Sequence, residues 1–261
     1  MSMTLEEITN TALDHMEQGN YSVAVKVLEK GHAQFPADDD LLVLFAEALG
    51  SDGAEDRAIS LLQQRLERGD APAEVLFALG DEYFVKGKHD EAIECYRQLL
   101  AEAGSAAEAN VRIGLVKIAE QACEKAEEYF HKALQIDENC FAAANSLGDM
   151  FFEGGHLQQA KNWYQRAMDI DPEDAEAYAN MADVLYEQQD RDAAREHARR
   201  ALELDERCAP AWLTLGYLHM DADEVTEACE CFEHFLDIED SAVAADLIVE
   251  VNAVLKALKG D

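Results

Sequence analysis

The chain has 261 residues, of which 49% are hydrophobic, and this apolar content argues against a disordered protein despite a formal net charge of −34. The acidity argues against direct binding of nucleic acid, because phosphate contacts need lysine and arginine. No basic segment leads into an apolar run at the N-terminus, and no run approaches the roughly 18 apolar residues of a membrane helix, so we expect neither secretion nor membrane insertion. The six cysteines lack the spacing of a metal site or a disulfide framework, which favours reduced thiols and a cytoplasmic protein.

Residues 1–4 precede the first predicted helix, and we expect them to be frayed. From Leu5 onward, a pattern of two amphipathic helices around a polar turn recurs every 34 residues without insertion. The seven predicted repeats span residues 5–38, 39–72, 73–106, 107–140, 141–174, 175–208 and 209–242. All four prolines lie at or near a repeat boundary, where one helix ends or the next begins.

Small residues recur at two positions of every repeat. The twentieth position is always alanine: Ala24, Ala58, Ala92, Ala126, Ala160, Ala194 and Ala228. The eighth position is alanine or glycine: Ala12, Ala46, Gly80, Gly114, Gly148, Ala182 and Gly216. Because a larger side chain at either position would push paired helices apart, the pattern predicts close packing of the two helices in each repeat.

The fifth repeat carries the pattern most fully and resembles the tetratricopeptide repeat, or TPR, a helix–turn–helix unit of the same length. The residues of this repeat that carry the resemblance are Leu147, Gly148, Phe151, Ala160, Tyr164, Ala167 and Pro172. The resemblance extends over residues 5–242. It implies an all-α fold, a right-handed α-solenoid of stacked antiparallel helix pairs (a TPR superhelix), in which residues 5–242 form one solenoid domain.

Some repeats depart from the TPR pattern. The first does so at Thr11 and His15, as expected for a terminal repeat with one neighbour. The fourth has Lys117, whose stem can pack while its head reaches solvent, and Gln121 in place of a turn glycine, so a local irregularity is the alternative there.

Residues 243–261 are not an eighth repeat. Their helical apolar spacing predicts a C-terminal capping helix and tail, with an amphipathic membrane or partner helix as the alternative.

In TPR proteins the first helix of each repeat lines a concave groove, so the resemblance implies peptide binding by side chains at fixed positions of these helices. The predicted groove residues are Glu47, Asp81, Phe84, Arg112, Asn145, Asp149, Phe152, Asn180, Asp183 and Tyr186. The carboxylates would attract a basic segment, the aromatic residues would anchor apolar side chains, and the asparagines would hold peptide backbone. The alternatives are core packing for the aromatic residues and ordinary solvation for the acids and amides.

TPR domains that bind chaperone tails clamp a C-terminal carboxylate with two lysines, two asparagines and an arginine. Arg112 matches the arginine of this clamp in one register of the repeats. The other four clamp positions in that register hold Val43, Glu47, Ala78 and Glu108. Since two glutamates would repel a carboxylate, we do not expect this class of ligand.

The sequence lacks the motifs of common catalytic classes: a GxSxG elbow, a P-loop, GxGxxG after a strand, or HExxH. We therefore expect no enzymatic activity, no catalytic residue, no cofactor and no metal site. The resemblance predicts a non-enzymatic protein–protein interaction module, an adaptor, assembly factor or partner-specific chaperone, that binds a basic segment with apolar anchors in an acidic groove. The alternative is a self-assembling TPR scaffold that forms homo-oligomers through its end faces or its capping helix.

Overall fold

The computed structural model describes residues 3–239 and 244–260, and within these ranges every regular element is an α-helix. The prediction of an all-α fold is confirmed. The chain divides into two compact units, Met1–Glu138 (unit 1) and Asn139–Asp261 (unit 2). The grouping of residues 5–242 into one solenoid domain stays a prediction.

Unit 1 contains four consecutive helix pairs. Its helices are α1 (Leu5–Glu17), α2 (Tyr21–Gln34), α3 (Asp39–Ser51), α4 (Glu55–Glu67), α5 (Ala73–Val85), α6 (His89–Leu99), α7 (Ala106–Ala119) and α8 (Cys123–Ile136). Each helix packs against the next one along the chain, and α3 also contacts α5, the first helix of the following repeat. These contacts are the stacking of a helical solenoid.

Unit 2 contains three further pairs and one additional helix. Its helices are α9 (Phe141–Glu153), α10 (Leu157–Ile170), α11 (Ala175–Glu187), α12 (Arg191–Leu204), α13 (Ala209–Asp221), α14 (Val225–Ile238) and α15 (Ala245–Lys259). The first helices α9, α11 and α13 contact one another in succession. Each predicted repeat therefore holds one helix pair, which confirms seven repeats followed by a C-terminal helix.

The inner turn of every repeat places its fifteenth residue in the left-handed region. These residues, with their φ angles, are Gly19 (69°), Gly53 (78°), Gly87 (70°), Gln121 (59°), Gly155 (72°), Gln189 (65°) and Asp223 (59°). The N–H of the following residue donates to the carbonyl five residues earlier, as from His156 to Phe151 at 2.8 Å, which is the Schellman pattern of a helix end. Gln121 thus keeps the turn geometry of the other repeats.

The residue at the eighth position is matched in size to the residue at the twenty-fourth position, on the second helix of the same repeat. A glycine faces an aromatic ring in four repeats: Gly80 with Tyr96, Gly114 with Phe130, Gly148 with Tyr164 and Gly216 with Phe232. The alanine repeats carry smaller partners: Ala12 with Leu28, Ala46 with Leu62 and Ala182 with Ala198. A Cβ atom added at Gly114 would lie 2.5 Å from the Phe130 ring, closer than packed atoms allow. Glycine at this position therefore makes room for the ring.

The described N-terminal residues form hydrogen bonds, and the fraying of residues 1–4 stays a prediction. Thr4 and Glu7 form a capping box, in which the Thr4 N–H donates to Glu7 at 2.8 Å and the Glu7 N–H donates to Thr4 at 3.2 Å. The Gln34 amide donates to the Met3 carbonyl at 2.9 Å. Residues 1 and 2 of the predicted frayed segment lie outside the described residues.

The C-terminal helix α15 covers the last helix pair. Val251 and Leu255 are buried in one apolar cluster with Phe232 and Phe235 of α14. This burial removes from water the face that a following repeat would otherwise cover. Residues 243 and 261, the ends of the predicted capping segment, lie outside the described residues.

Candidate peptide-binding surfaces

The predicted groove residues fall into two groups, one in each unit. Glu47, Asp81, Phe84 and Arg112 lie on α3, α5 and α7, and we call them the unit 1 surface. Asn145, Asp149, Phe152, Asn180, Asp183 and Tyr186 lie on α9 and α11, and we call them the unit 2 surface. All ten are on first helices of their repeats.

A network of amide and carboxylate groups links α9 and α11 in the unit 2 surface. The Asn180 amide donates to Asn145 Oδ1 at 3.2 Å and to Asp149 Oδ1 at 3.4 Å. The Tyr164 hydroxyl donates to the same oxygen of Asp149 at 2.7 Å. Within the described part of the chain, Asn145 Nδ2 and Asn180 Oδ1 make no hydrogen bond. One donor and one acceptor thus stay open to a ligand, and a peptide backbone supplies both complements.

The Asp149 carboxylate is held by neutral donors. Burial raises the pKa of Asp149 to about 6, the Tyr164 hydrogen bond opposes that rise, and the carboxylates of Glu176 and Glu153 add to it. A cation placed here would lower the pKa and be attracted in return. Asp149 is therefore a half-buried carboxylate that makes no ion pair within the described residues.

Asp183 has a similar arrangement one repeat further on, on α11. The Thr214 hydroxyl on α13 donates to Asp183 Oδ1. Burial raises the pKa of Asp183 to about 6, with the Thr214 hydrogen bond opposing the rise and the Glu187 carboxylate adding to it. Asp183 is also an acid held by a neutral donor.

The aromatic members of the unit 2 surface are half-buried. Phe152 packs against the core of unit 2, to which Tyr186 also contributes. The Tyr186 ring lies 6.2 Å from the Tyr217 ring. These side chains therefore combine the core packing that was the alternative interpretation with a face that stays accessible.

Asp81 of the unit 1 surface has a different environment from Asp149. The Tyr96 hydroxyl donates to it at 2.6 Å, and the Arg112 guanidinium donates to it at 2.8 Å. Arg112 also pairs with Glu108 at 3.2 Å and lies 6.0 Å from the Phe77 ring. Arg112 thus serves as an internal counter-ion that Asp81 shares with Glu108. Burial still raises the pKa of Asp81, and the Tyr96 hydrogen bond and the Arg112 charge oppose that rise.

The remaining members of the unit 1 surface, Glu47 and Phe84, are respectively exposed and half-buried. Beside them lies Glu82, which the sequence did not single out. Its Oε2 atom is buried and has no hydrogen-bond partner within the described residues. Burial, with the carboxylates of Glu55, Asp81 and Glu47, raises the pKa of Glu82 to about 7. A Cβ atom on Gly50 would collide with this carboxylate, so the glycine provides its space.

The three aspartates make the same kind of contact between repeats, which the sequence did not predict. Each aspartate is at the ninth position of its repeat and contacts the sixth residue of the next repeat. The contacts join Asp81 to Arg112, Asp149 to Asn180 and Asp183 to Thr214. In the two of these repeats that have a tyrosine at the twenty-fourth position, its hydroxyl donates a second hydrogen bond to the aspartate. The visible signal was the co-occurrence of tyrosine at that position with aspartate at the ninth, in the third and fifth repeats.

Metal binding and membrane insertion each need a particular arrangement of residues. No group of three or more histidine, cysteine, aspartate or glutamate side chains there has an arrangement that could hold a metal ion. No helix in those ranges has both the length and the apolar character needed to cross a bilayer.

The stacked pairs, their left-handed turns and the small residues between helices define a helical-repeat protein. Family models described as TPR repeat or tetratricopeptide repeat match residues 73–105, 107–140, 148–189 and 180–242. The chain belongs to the tetratricopeptide repeat family, as the sequence predicted. The family supports a protein–protein interaction module in general. A search of curated proteins gives no match.

Solved structures of similar fold include other TPR proteins. A tetratricopeptide repeat protein from Parabacteroides merdae superposes with a TM-score of 0.65 at 19% identity, over 98% of both chains. A chain of the APC/C hetero-tetramer Cut9–Hcn1 gives 0.63 at 15% identity, over 92% of this chain and 48% of that one. MamA gives 0.51 at 23% identity, over 61% of this chain and 93% of its own. At these identities the similarity establishes the fold alone.

Proposed function

We propose that this protein is a non-enzymatic interaction module that binds a peptide or protein segment, basic and with large apolar anchors, on the first-helix faces of its repeats. In the cell it would act as an adaptor, an assembly factor or a partner-specific chaperone. Recognition would be preorganised, because the stacked helices hold the contacting side chains at fixed spacing. The family supports the general class, and the side-chain environments support the specific ligand.

The observation that carries the proposal is the neutral surroundings of Asp149 and Asp183. Both carboxylates accept hydrogen bonds from uncharged donors, Tyr164, Asn180 and Thr214. A lysine or arginine from a partner would supply the counter-charge that Arg112 supplies to Asp81 in unit 1. We therefore assign the basic side chains of the partner to the unit 2 surface rather than to Asp81 or Glu47.

Two further features of the unit 2 surface support a peptide as the ligand. Asn145 and Asn180 offer one open donor and one open acceptor to a peptide backbone. Half-buried Phe152 and Tyr186 offer aromatic faces to its apolar side chains. Together with Asp149 and Asp183, these side chains would contact the backbone, the basic side chains and the apolar side chains of a peptide from two neighbouring first helices.

The test uses a random peptide-display library selected on the immobilised full-length protein. We expect basic peptides with leucine or aromatic residues, whose affinity falls at least tenfold, or about 1.4 kcal/mol, in the double variant Asp149→Asn/Asp183→Asn. Asparagine keeps an oxygen for the Tyr164 and Thr214 donors, so the fold is preserved. Asp81→Asn is the matched control and should cost under threefold, because Arg112 already occupies that carboxylate.

A second variant gives Asp149 of the unit 2 surface the same kind of cationic neighbour that Asp81 has in unit 1. Asn180→Arg places a cation at the sixth position beside Asp149, as Arg112 stands beside Asp81, and should also abolish selection of basic peptides. Affinity in the unmodified protein should rise with pH through about 6, because the pKa of Asp149 and Asp183 lies there and the deprotonated form binds cations. Unchanged peptide affinity in both the double variant and Asn180→Arg would refute the proposal.

Self-assembly remains the competing function and is measured on the same sample. Light scattering across concentration would show growth of oligomers if the protein acts as its own partner. A concentration-independent mass, together with selected basic peptides, favours the interaction module.

A further inference from the structure

The outer surface of the first helix pair holds a cavity of about 440 Å³, which we call the N-terminal cavity. It is distinct from both peptide-binding surfaces, since it lies against α2 rather than on the later first helices. Its lining residues are Met3, Ile8, Val23, Lys26, Val27, Lys30, Gly31 and Gln34. Val23 and Met3 are 38% and 40% exposed, and together with Val27 they form the accessible apolar part of the lining.

The cavity is preformed. The Gln34 amide fixes the Met3 carbonyl at its rim, and the capping box at Thr4 fixes the first turn of α1 beside it. A Cβ atom added at Gly31 would lie 2.6 Å from Ile8 Cγ2. The absence of a side chain at Gly31 therefore lets Ile8 form a close-packed floor.

The charge of the N-terminal cavity is opposite to that of the chain. Lys26 and Lys30 stand one helical turn apart on its edge, and neither makes an ion pair within the described residues. Glu29, the carboxylate between them in sequence, pairs instead with Arg57 at 3.2 Å. The lining contains no carboxylate, whereas the whole chain has 55 acids and 21 bases.

We propose that the N-terminal cavity is a second docking surface, which binds an acidic segment of a protein partner through one large apolar side chain flanked by carboxylates. The apolar side chain fills the space over Ile8, Val23 and Val27. The flanking carboxylates pair with Lys26 and Lys30, which make no ion pair with any residue that the structure describes. A volume of several hundred cubic ångströms suits one or two large side chains rather than a whole helix.

This surface gives the protein two recognition sites of opposite charge preference. The unit 2 surface is suited to a basic segment, and the N-terminal cavity to an acidic one. Two different partners can thus be bound without competing for the same charges, which is the arrangement that an adaptor needs.

The test selects peptides from a random display library on the full-length protein and measures the affinity of each enriched peptide by fluorescence anisotropy. We expect one enriched class to combine aspartate or glutamate with phenylalanine, leucine or methionine. Its affinity should fall at least tenfold in Lys26→Glu/Lys30→Glu and in Val23→Asp. Methyl resonances of Ile8, Val23 and Val27 should shift when the peptide is added.

Matched controls keep the result specific. Lys125→Glu/Lys132→Glu changes two exposed lysines on α8 by the same charge, and Val85→Asp changes a valine that is 72% exposed. Both variants should bind within twofold of the unmodified protein. The groove variant Asp149→Asn/Asp183→Asn should also leave this peptide class unaffected, so failure here is distinguishable from failure of the proposed function. Far-UV circular dichroism checks that each variant folds.

Two outcomes would overturn the proposal. One is that no acidic peptide is enriched, or that enriched acidic peptides bind Lys26→Glu/Lys30→Glu as tightly as the unmodified protein. The other is a concentration-dependent dimer that this same variant dissociates, which would assign the cavity to a second copy of the chain rather than to a partner.

Discussion

Asp81 in unit 1 and Asp149 in unit 2 occupy the same position of their repeats, and the residue that reaches them from the next repeat differs. Both accept a hydrogen bond from a tyrosine on the second helix. Asp81 also accepts one from Arg112, whereas Asp149 is contacted by the neutral amide of Asn180. The sixth residue of the following repeat thus decides whether the acid has a cationic or a neutral neighbour.

The three aspartates in the row differ in their surroundings although they occupy the same position of their repeats. The sequence presents Asp81, Asp149 and Asp183 as equivalent groups facing a groove. The structure makes each of them part of the contact between neighbouring first helices, because every one bonds to a residue of the next repeat. The same side chains therefore stabilise repeat stacking and set the surface charge.

The largest expected effect follows from removing the internal cation of unit 1. Arg112→Met should lower the free energy of unfolding of unit 1 by about 2 kcal/mol, since hydrogen bonds to charged groups contribute roughly 1.5–3 kcal/mol. The cost stays below that of a fully buried pair because both side chains are 36% exposed. Urea unfolding followed by far-UV circular dichroism measures it. Arg97→Met, at an exposed site on α6, is the control, and an equal loss in both variants would contradict the counter-ion role.

Removing the tyrosine hydroxyls should distinguish the two units. Tyr164→Phe leaves Asp149 with only the longer contact to Asn180, so it should cost about 1.5 kcal/mol. Tyr96→Phe leaves Asp81 with Arg112, so it should cost about 1 kcal/mol. Tryptophan fluorescence reports on unit 2, because Trp163 and Trp212 both lie there, and circular dichroism reports on both units. Equal losses would mean that Arg112 does not compensate Asp81.

The pH dependence of unit 2 stability follows from its raised carboxyl pKa values. Asp149 and Asp183 have pKa values of about 6 in the folded chain against a usual 3.8, so the folded state binds more protons between these values. This contribution to stability is fully present below about pH 3.8 and is lost as pH rises through 6. Urea midpoints measured by tryptophan fluorescence should therefore fall from pH 4.5 to pH 7. The Asp149→Asn/Asp183→Asn variant should flatten that slope, and an unchanged slope would show that other groups cause it.

The fold was predictable because its determinants are local and repeated. Alanine at the twentieth position and a small residue at the eighth appear seven times each, and both pack where two helices of one repeat meet. The pairing of Gly148 with the Tyr164 ring was equally visible as a size match within one repeat. The TPR resemblance therefore gave the helices, the turns and the C-terminal cover correctly.

The chemistry of the surfaces was less predictable, because it depends on contacts between repeats. Whether Asp81 has a cationic neighbour depends on Arg112, which lies in the next repeat. The sequence predicts Arg112 as a groove residue and not as the counter-ion of Asp81. The raised pKa of Glu82 depends on burial against Gly50 and on three neighbouring acids. The N-terminal cavity depends on how α1 crosses α2. None of these follows from helical periodicity.

The smallest expected effect concerns the turns, which are alike in both units. Gln121 in unit 1 and Gln189 in unit 2 adopt φ angles of 59° and 65°, a conformation that costs a residue with a Cβ atom about 1 kcal/mol. Gln121→Gly and Gln189→Gly should each stabilise their unit by up to about 1 kcal/mol less the entropy cost of glycine, and Gly155→Ala should destabilise unit 2 by a similar amount. Urea midpoints from circular dichroism and tryptophan fluorescence measure the two glycine variants. Because the turn residues belong to neither peptide-binding surface, none of these variants should alter the selected peptides. A change in binding would show that turn geometry also positions the first helices.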